Sequence, residues 1–95
     1  MHVLSRKRIL EFCKKHPRAY VFLDHWYRVT KKARWNNFAD VRRDFPHADM
    51  VGLLTVFNVG GNKYRLVAGI WFEKKKVFIH RIMTHDDYDD DSWKS

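Results

Sequence analysis

The sequence has a single cysteine among its 95 residues. One cysteine excludes an internal disulfide and cannot build a structural zinc site. Cys13 stands among apolar neighbours in a predicted helix, which favours a small buried side chain over a reactive thiol. A catalytic thiol is also disfavoured because Cys13 lies far in sequence from the polar residues near the C-terminus.

Long apolar runs and several common site signatures are missing as well. No run approaches the roughly 18 apolar residues of a membrane-spanning helix. Nothing resembles a signal peptide, so we expect a cytoplasmic protein with no membrane partner. The patterns Cys-x-x-Cys, His-Glu-x-x-His and Gly-x-Ser-x-Gly do not occur. His80 and His85 are five residues apart, a spacing that fits no known ligand pattern well, so scattered histidines are favoured over a metal site.

Positive charge and aromatic side chains are abundant. The chain carries nineteen Lys and Arg against eleven Asp and Glu, a net charge of +8, and 16% of its residues are aromatic. Five of the acids crowd the C-terminus, so residues 1–85 hold eighteen basic and six acidic side chains, a net charge of +12. A small basic body attracts polyanions through counterion release and electrostatic steering. This favours nucleic acid or a nucleic-acid machine as the partner, although many small basic proteins bind nothing specific.

Length and periodicity predict one domain, residues 1–95, with a helical first half. Helices are predicted over about 5–15, from 17 onward, and over 36–44. Ser5 is the expected N-cap of the first, and Pro17 suits the first turn of the second. Asn36 or Asn37 is the expected N-cap of the third.

After residue 46 the pattern changes to β-branched and aromatic runs. The predicted strands are Leu53–Asn58, Lys63–Phe72 and Val77–Met83. Connections this short favour an antiparallel meander over crossovers. Alternate residues from Tyr64 to Phe72 are expected to face the helices, whereas the alternate set that contains Arg65 is expected to line an outer, partly polar surface. The fold class is α+β, with two to three N-terminal helices packed on one face of a small antiparallel β-sheet.

Gly60 and Gly61 mark the turn between the first two predicted strands. Glycine adopts positive φ at little cost, so the pair predicts a primed hairpin turn. Asn58 and Asn62 flank the turn, and their side chains either cap it or donate to a phosphate or base. Arg65 points away from the predicted core, and its planar guanidinium suits a phosphate, although pairing with a neighbouring acid is the alternative.

A histidine and a tyrosine follow the last predicted strand, in the segment THDDY at 84–88. Both side chains can transfer protons, and histidine titrates near neutral pH. His-x-x-Tyr is common by chance, so its meaning depends on whether His85 and Tyr88 meet Arg65 in space, which periodicity does not establish. The acidic C-terminal tail, residues 86–95, either screens the basic surface or keeps the protein soluble.

Three segments taken together resemble the HigB toxins of bacterial toxin–antitoxin pairs, within the RelE-like group of small mRNA-cleaving toxins. They are WNNFADVRRDFPHAD, FNVGGNKYRLV and THDDYD, and they span about 35–89. GGNKYRL is the most specific part because it combines turn, cation and core in a fixed order. The resemblance implies a compact α+β fold, in agreement with the periodicity.

The resemblance also implies a toxin that cleaves mRNA on translating ribosomes, with no metal and no other cofactor. Cleavage in this group proceeds by attack of the ribose 2′-OH on the adjacent phosphate, which DNA does not allow because it lacks that hydroxyl. The implied partners are mRNA, the ribosome and a HigA-like helix-turn-helix antitoxin, with operator DNA reached only through the toxin–antitoxin complex. A non-catalytic RNA- or ribosome-binding module, or a corepressor acting with a helix-turn-helix partner, is the alternative.

The family pattern places three candidate catalytic residues in this sequence. Arg65 falls at the position that stabilises charge on the phosphate. Tyr88 is the candidate general base and His85 the candidate acid, or the two roles are exchanged. RNA contacts are expected from Asn58, Asn62, Lys63, His80 and Arg81. His85 stands where an arginine often occurs in the RelE-like group, and Asp86 and Asp87 add negative charge beside it.

Overall fold

The computed structural model of this protein describes residues 1–90. The helices of this part are α1 (Lys7–Lys15), α2 (Tyr20–Lys32), α3 (Phe38–Asp44) and α4 (His85–Asp89). The strands are β1 (His2–Leu4), β2 (Asp49–Val51), β3 (Leu54–Val59), β4 (Tyr64–Trp71) and β5 (Lys76–Thr84). Of the acidic tail predicted over 86–95, the first residues form most of α4, and residues 91–95 lie outside the described part.

The three predicted N-terminal helices are present, but the first begins differently. Ser5 does not cap α1: its φ is +68°, and α1 starts after Arg6 without a side-chain cap. The physical reason is β1, because the chain must reverse from a strand into a helix within two residues. Pro17 opens a turn of 3-10 helix that leads into α2. Asn37 caps α3 as expected, since its side chain accepts a hydrogen bond of 3.0 Å from the backbone N–H of Asp40.

The sheet has five strands in the order β1-β5-β4-β3-β2. β2, β3, β4 and β5 form an antiparallel meander, in agreement with the prediction for the three longer strands. β1 was not predicted, and it pairs with β5 in parallel, so the sheet is mixed rather than wholly antiparallel. A three-residue strand carries too little periodicity to be found in a sequence.

Helices and sheet enclose one main core. Its larger buried residues come from α1, α2, α3, the strands and the segment before α3: Ile9, Leu23, Trp26, Trp35, Val41, Phe57, Leu66 and Ile79. Phe57 lies at its centre, with ring centroids 5.4 Å from Trp26 and 5.1 Å from Phe45. The predicted alternation in β4 is confirmed, since the set that includes Leu66 packs in this core.

The opposite face of the sheet carries a second, smaller apolar cluster. Val56, Val67 and Met83 are buried there, and Tyr88 of α4 packs against them. The sequence predicted an outer, partly polar surface, which is wrong near α4 because that helix folds back over the sheet. Within residues 1–90, no helix combines the length and the apolar composition needed to cross a membrane.

The β3–β4 hairpin turns through four residues, Gly60 to Lys63, rather than the two of a primed hairpin turn. Both glycines have positive φ, +66° and +67°, as predicted. Gly60 also lies beneath the ring of Phe22 in α2: a Cβ at this position would stand 3.0 Å from Cδ2 of that ring. The hairpin is therefore packed against the helices on one face of the sheet, and Arg65 lies on the other face.

The central position of Phe57 predicts a large loss of stability in Phe57→Ala. Removing a fully buried phenylalanine deletes its transfer free energy and leaves a cavity, so the free energy of unfolding is expected to fall by about 3–5 kcal/mol. Phe78→Ala is the matched control, since Phe78 is 44% exposed, and it is expected to cost about 1 kcal/mol or less. Urea unfolding of both variants measures the difference, and equal losses would contradict the assigned core.

Candidate active site

Arg65 is a buried cation beside the β3–β4 turn, in the second position of β4, with only 7% of its surface exposed. Its Nη1 donates to the backbone carbonyls of Asn62 (3.3 Å) and Tyr64 (3.1 Å). Its Nη2 donates to Oδ1 of Asn62 at 2.9 Å. These contacts fix the guanidinium plane against the turn. The turn residues thus position the arginine as well as reversing the chain.

No Asp or Glu among residues 1–90 forms an ion pair with Arg65. The alternative of an arginine paired with a neighbouring acid is therefore not what the structure has. The contacts of Arg65 within this part of the chain use Nη1 and Nη2, which leaves the Nε–H for a ligand. A buried charge without a counter-ion is costly, and one that presents a free donor indicates a site for an anion.

His85 contacts Arg65 from the neighbouring strand end. Its Nδ1 is 3.2 Å from Nη2 of Arg65, and its Nε2 is 3.2 Å from Oδ2 of Asp89. Its backbone N–H donates to the carbonyl of Lys63 at 2.9 Å. α4 is thereby tied to the hairpin through both the backbone and the side chain of one residue.

The ring of Tyr88 also lies against the guanidinium. Cζ of Arg65 lies 5.4 Å from the centroid of the Tyr88 ring, within the range of a cation–π contact. Because the same ring packs on Val67 and Met83, its position is set by the second apolar cluster. Arg65, His85 and Tyr88, which are up to 23 residues apart in the sequence, therefore meet in one place.

Thr84 brings His85 and Tyr88 to Arg65 by starting α4 where β5 ends. Thr84 is extended and pairs with Tyr64 across the sheet. Its Oγ1 accepts a hydrogen bond of 3.2 Å from the backbone N–H of Asp87, which caps the helix. In a helix, residues three apart lie on the same side. The cap therefore presents His85 and Tyr88 together toward the β4 strand.

The other predicted RNA-binding residues fall into two groups. Asn58 lies directly opposite Arg65 in the β3–β4 ladder, and Asn62 and Lys63 belong to the turn. All three are exposed. His80 and Arg81 are placed elsewhere, at a β-bulge of β5 in which Val67 pairs with Arg81 and the next residue, Ala68, pairs with Ile79. His80 is the extra residue of that bulge.

His80 and Arg81 line a groove of about 520 Å³ between α1 and β5. Among residues 1–90, none of the Arg65 cluster (Arg65, His85 and Tyr88) lines this groove. The residues that line it are Arg8, Glu11, Phe12, Lys15, His80, Arg81 and Ile82. The sequence reasoning missed Arg8 and Lys15, although the positive charge of α1 was a signal for them. It also missed Asp89 as a partner of His85, because a spacing of four residues is informative only once the segment is known to be helical.

The described residues offer little for metal or thiol chemistry. Within residues 1–90, no three side chains of His, Cys, Asp or Glu are grouped so that they could hold a metal ion. Cys13 packs at the edge of the main core, and burial raises the pKa of its thiol. A raised pKa leaves less thiolate at neutral pH, so Cys13 is a poor nucleophile.

Known proteins match this chain over nearly its whole length. The model of a family described as the RelE-like toxic component of a toxin-antitoxin system, HigB_toxin, matches residues 19–91. The chain belongs to the HigB toxin family. It is similar to the mRNA interferase toxin HigB of Escherichia coli (strain K12) and to the mRNA interferases HigB of Escherichia coli O157:H7 and Shigella flexneri. Each is 33% identical over 92 residues, which cover 94% of this chain and 88% of the relative.

Family membership makes this HigB-family chain the toxic component of a toxin–antitoxin pair, so an antitoxin is its partner. The resemblance seen in the sequence is confirmed. The region matched by the family model contains the whole Arg65 cluster, whereas β1 and α1 precede it. Arg8 and Lys15 of the α1–β5 groove are thus outside the matched region, while His80 and Arg81 are within it.

The cap of α4 predicts how the HigB-family site responds to Thr84→Ala. Loss of the hydroxyl removes the acceptor for the Asp87 amide, and an N-cap of this kind contributes about 1 kcal/mol. We expect faster amide hydrogen exchange in α4 and little change in β3. Thr84→Ser keeps the acceptor and is the control that should exchange like the parent protein. Equal protection of α4 in Thr84→Ala and the parent would contradict the role of the cap.

Proposed function

We propose that this toxin is an endoribonuclease that cleaves mRNA by attack of a ribose 2′-OH on the adjacent phosphate. The observation that carries the proposal is Arg65, a buried cation without a carboxylate partner in residues 1–90, flanked by two proton-transfer side chains. Relatives that are 33% identical over 94% of the chain are named mRNA interferases, which supports the same activity here.

Arg65 binds the scissile phosphate. A side-on fork of Nε–H and Nη2–H fits two phosphate oxygens, and such bidentate pairs are stronger than contacts to a single nitrogen. Negative charge on these oxygens increases in the transition state, so a fixed guanidinium stabilises the transition state more than the ground state. The bonds from Nη1 to the carbonyls of Asn62 and Tyr64 keep the fork fixed and reduce reorganisation during the reaction.

His85 and Tyr88 move the protons. Cleavage needs a base for the 2′-OH and an acid for the departing 5′-oxygen, and both side chains border the guanidinium that holds the phosphate. The products are a 2′,3′-cyclic phosphate and a 5′-hydroxyl. Side chains supply the whole chemistry, so the reaction requires no metal and no cofactor.

Basic and polar residues outside the Arg65 cluster hold the RNA strand. Asn58 and Lys63 lie next to Arg65 along the hairpin. His80 and Arg81, together with Arg8 and Lys15, give the α1–β5 groove a positive lining that suits the phosphate backbone. A net charge of +8 favours the translating ribosome as the place of encounter, and hence action in the cytoplasm. The antitoxin is a HigA-like helix-turn-helix protein, and operator DNA is contacted through the complex.

Arg65→Ala is expected to abolish toxicity without unfolding the protein. Loss of a fixed transition-state donor typically lowers the rate about 100-fold or more, so induced cells should keep growing. Arg65→Lys keeps the charge but loses the fork and should recover only part of the activity. Arg28→Ala removes the same charge from an exposed pair with Asp24 on α2, and should remain toxic. Growth after induction measures the toxicity of each variant, and circular dichroism of the purified variants shows whether each is folded.

Primer extension on ribosome-bound mRNA separates cleavage from binding. New 5′ ends should occur with the parent protein and with Arg28→Ala, and be lost with Arg65→Ala. Growth arrest without new 5′ ends would contradict the enzyme and favour a non-catalytic ribosome-binding module. Full toxicity in folded Arg65→Ala would contradict the role of the arginine. Operator binding with and without this chain tests the corepressor alternative.

The chemistry also predicts the effect of a single missing hydroxyl. An mRNA with a 2′-deoxynucleotide on the 5′ side of the cleaved phosphate should bind normally and resist cleavage, because the nucleophile is absent. The matched all-ribose mRNA on the same ribosomes is the control. Cleavage of the deoxy-substituted strand at the same phosphate would exclude attack by the 2′-OH and would point to hydrolysis by water.

A further inference from the structure

The proton on His85 has a defined place. Arginine donates hydrogen bonds and never accepts them. Since Nη2 of Arg65 is 3.2 Å from Nδ1 of His85, the Nδ1 atom must carry the lone pair. The ring proton is then on Nε2, which lies 3.2 Å from Oδ2 of Asp89. Two opposite partners, a donor on one nitrogen and an acceptor on the other, select one tautomer of the neutral imidazole.

We propose that Asp89 is a positioning residue that makes His85 the general base of the cleavage reaction. The proposal rests on the proposed function and deepens it, because it decides between the two proton-transfer residues. Asp89 holds the Nε2–H and orients the ring, and the lone pair on Nδ1 faces the guanidinium that receives the phosphate. Tyr88 is then the general acid.

The geometry connects substrate binding to the release of the base. In the free protein, Nδ1 accepts from Nη2 of Arg65. A phosphate that takes the Nε and Nη2 donors of Arg65 ends that hydrogen bond and leaves the Nδ1 lone pair beside the bound phosphate. The 2′-OH that reacts belongs to the nucleotide joined to this phosphate, so the lone pair and the hydroxyl are brought together.

The reaction balances with these two groups. The 2′-OH proton passes to Nδ1 of His85 as the bond from O2′ to phosphorus forms. The bond from phosphorus to O5′ breaks, and the hydroxyl proton of Tyr88 passes to O5′. His85 is left as an imidazolium, which the carboxylate of Asp89 stabilises through Nε2–H. The imidazolium then returns its proton to solvent and the tyrosinate takes one up.

Among the acidic residues of α4, Asp89 is the one whose carboxylate lies beside the His85 ring. It follows His85 by four residues, one helical turn, and so lies on the same side. The His85 and Asp89 side chains are 43% and 62% exposed, and exposed pairs contribute little to stability. Removal of Asp89 should therefore change the reaction more than the fold. Among residues 1–90, the charged groups that contact the His85 ring from the sheet and from its own helix are Arg65 and Asp89.

Single-turnover cleavage on programmed ribosomes tests the proposal in the full-length protein. Asp89→Ala is expected to lower the rate at saturating ribosomes about tenfold or more, because a misoriented imidazole loses part of the roughly 100-fold or larger contribution of a proton-transfer group. The half-saturating concentration should change less than about twofold, because Asp89 does not hold RNA. Asp89→Asn keeps an acceptor for Nε2–H without the charge, so its rate should lie between those of the parent and Asp89→Ala. Asp86→Ala, which removes the same charge from the first turn of α4, should match the parent.

Nitrogen-15 NMR of labelled histidine tests the tautomer without RNA. In the parent protein at a pH where His85 is neutral, its proton should reside on Nε2. Asp89→Ala should keep this tautomer, because Arg65 still donates to Nδ1, but it should shift the resonance of the Nε2 nitrogen, because the carboxylate acceptor is lost. A proton on Nδ1 in the parent would overturn the proposal, and so would a parent-like cleavage rate in Asp89→Ala. Those results leave cleavage by the parent intact. A parent protein that cleaves no RNA would instead overturn the proposed function and this proposal with it.

Discussion

The burial of one guanidinium among backbone carbonyls is the constraint on which the site depends. Arg65 is 7% exposed, and its hydrogen-bond partners in residues 1–90 are two carbonyls, an amide oxygen and an imidazole nitrogen. Neutral acceptors hold the plane of the group without cancelling its charge. A carboxylate in the same place would have stabilised the free protein and competed with the phosphate. The site therefore keeps its cation available at some cost in stability.

The sheet supports this arrangement from both faces. On one face, the aromatic core around Phe57 and the contact of Phe22 with Gly60 fix the hairpin to the helices. On the other, Tyr88 packs on Val67 and Met83, so the same ring serves a small apolar cluster and the guanidinium. The apolar contacts supply rigidity and the polar ones supply chemistry. A site built on strand ends in this way is more precise than one built on a free loop.

Proton placement follows from the same neighbours. Because arginine only donates, its contact with Nδ1 places the imidazole proton on Nε2, toward Asp89. Substrate binding at Arg65 and activation of His85 would then be one event, since the phosphate replaces the histidine as the acceptor. Membership of the HigB toxin family shows that this protein is a toxin with an antitoxin partner. The arrangement of these side chains gives a physical reason why binding of an anionic substrate at Arg65 would free His85 to act as the base.

Local periodicity, turn chemistry and charge were enough to predict the α+β class, the three N-terminal helices, the hairpin at Gly60 and the direction of Arg65 away from the main core. Motif resemblance also determined the family. The three-dimensional structure was needed to show that β1 pairs in parallel with β5, that α4 folds over the sheet, and that His85 and Tyr88 reach Arg65. Those features depend on contacts between residues far apart in the chain, and on where one element ends relative to another. A one-dimensional pattern records neither, since a start of α4 one residue earlier or later would rotate His85 and Tyr88 together by about 100° and turn both away from Arg65.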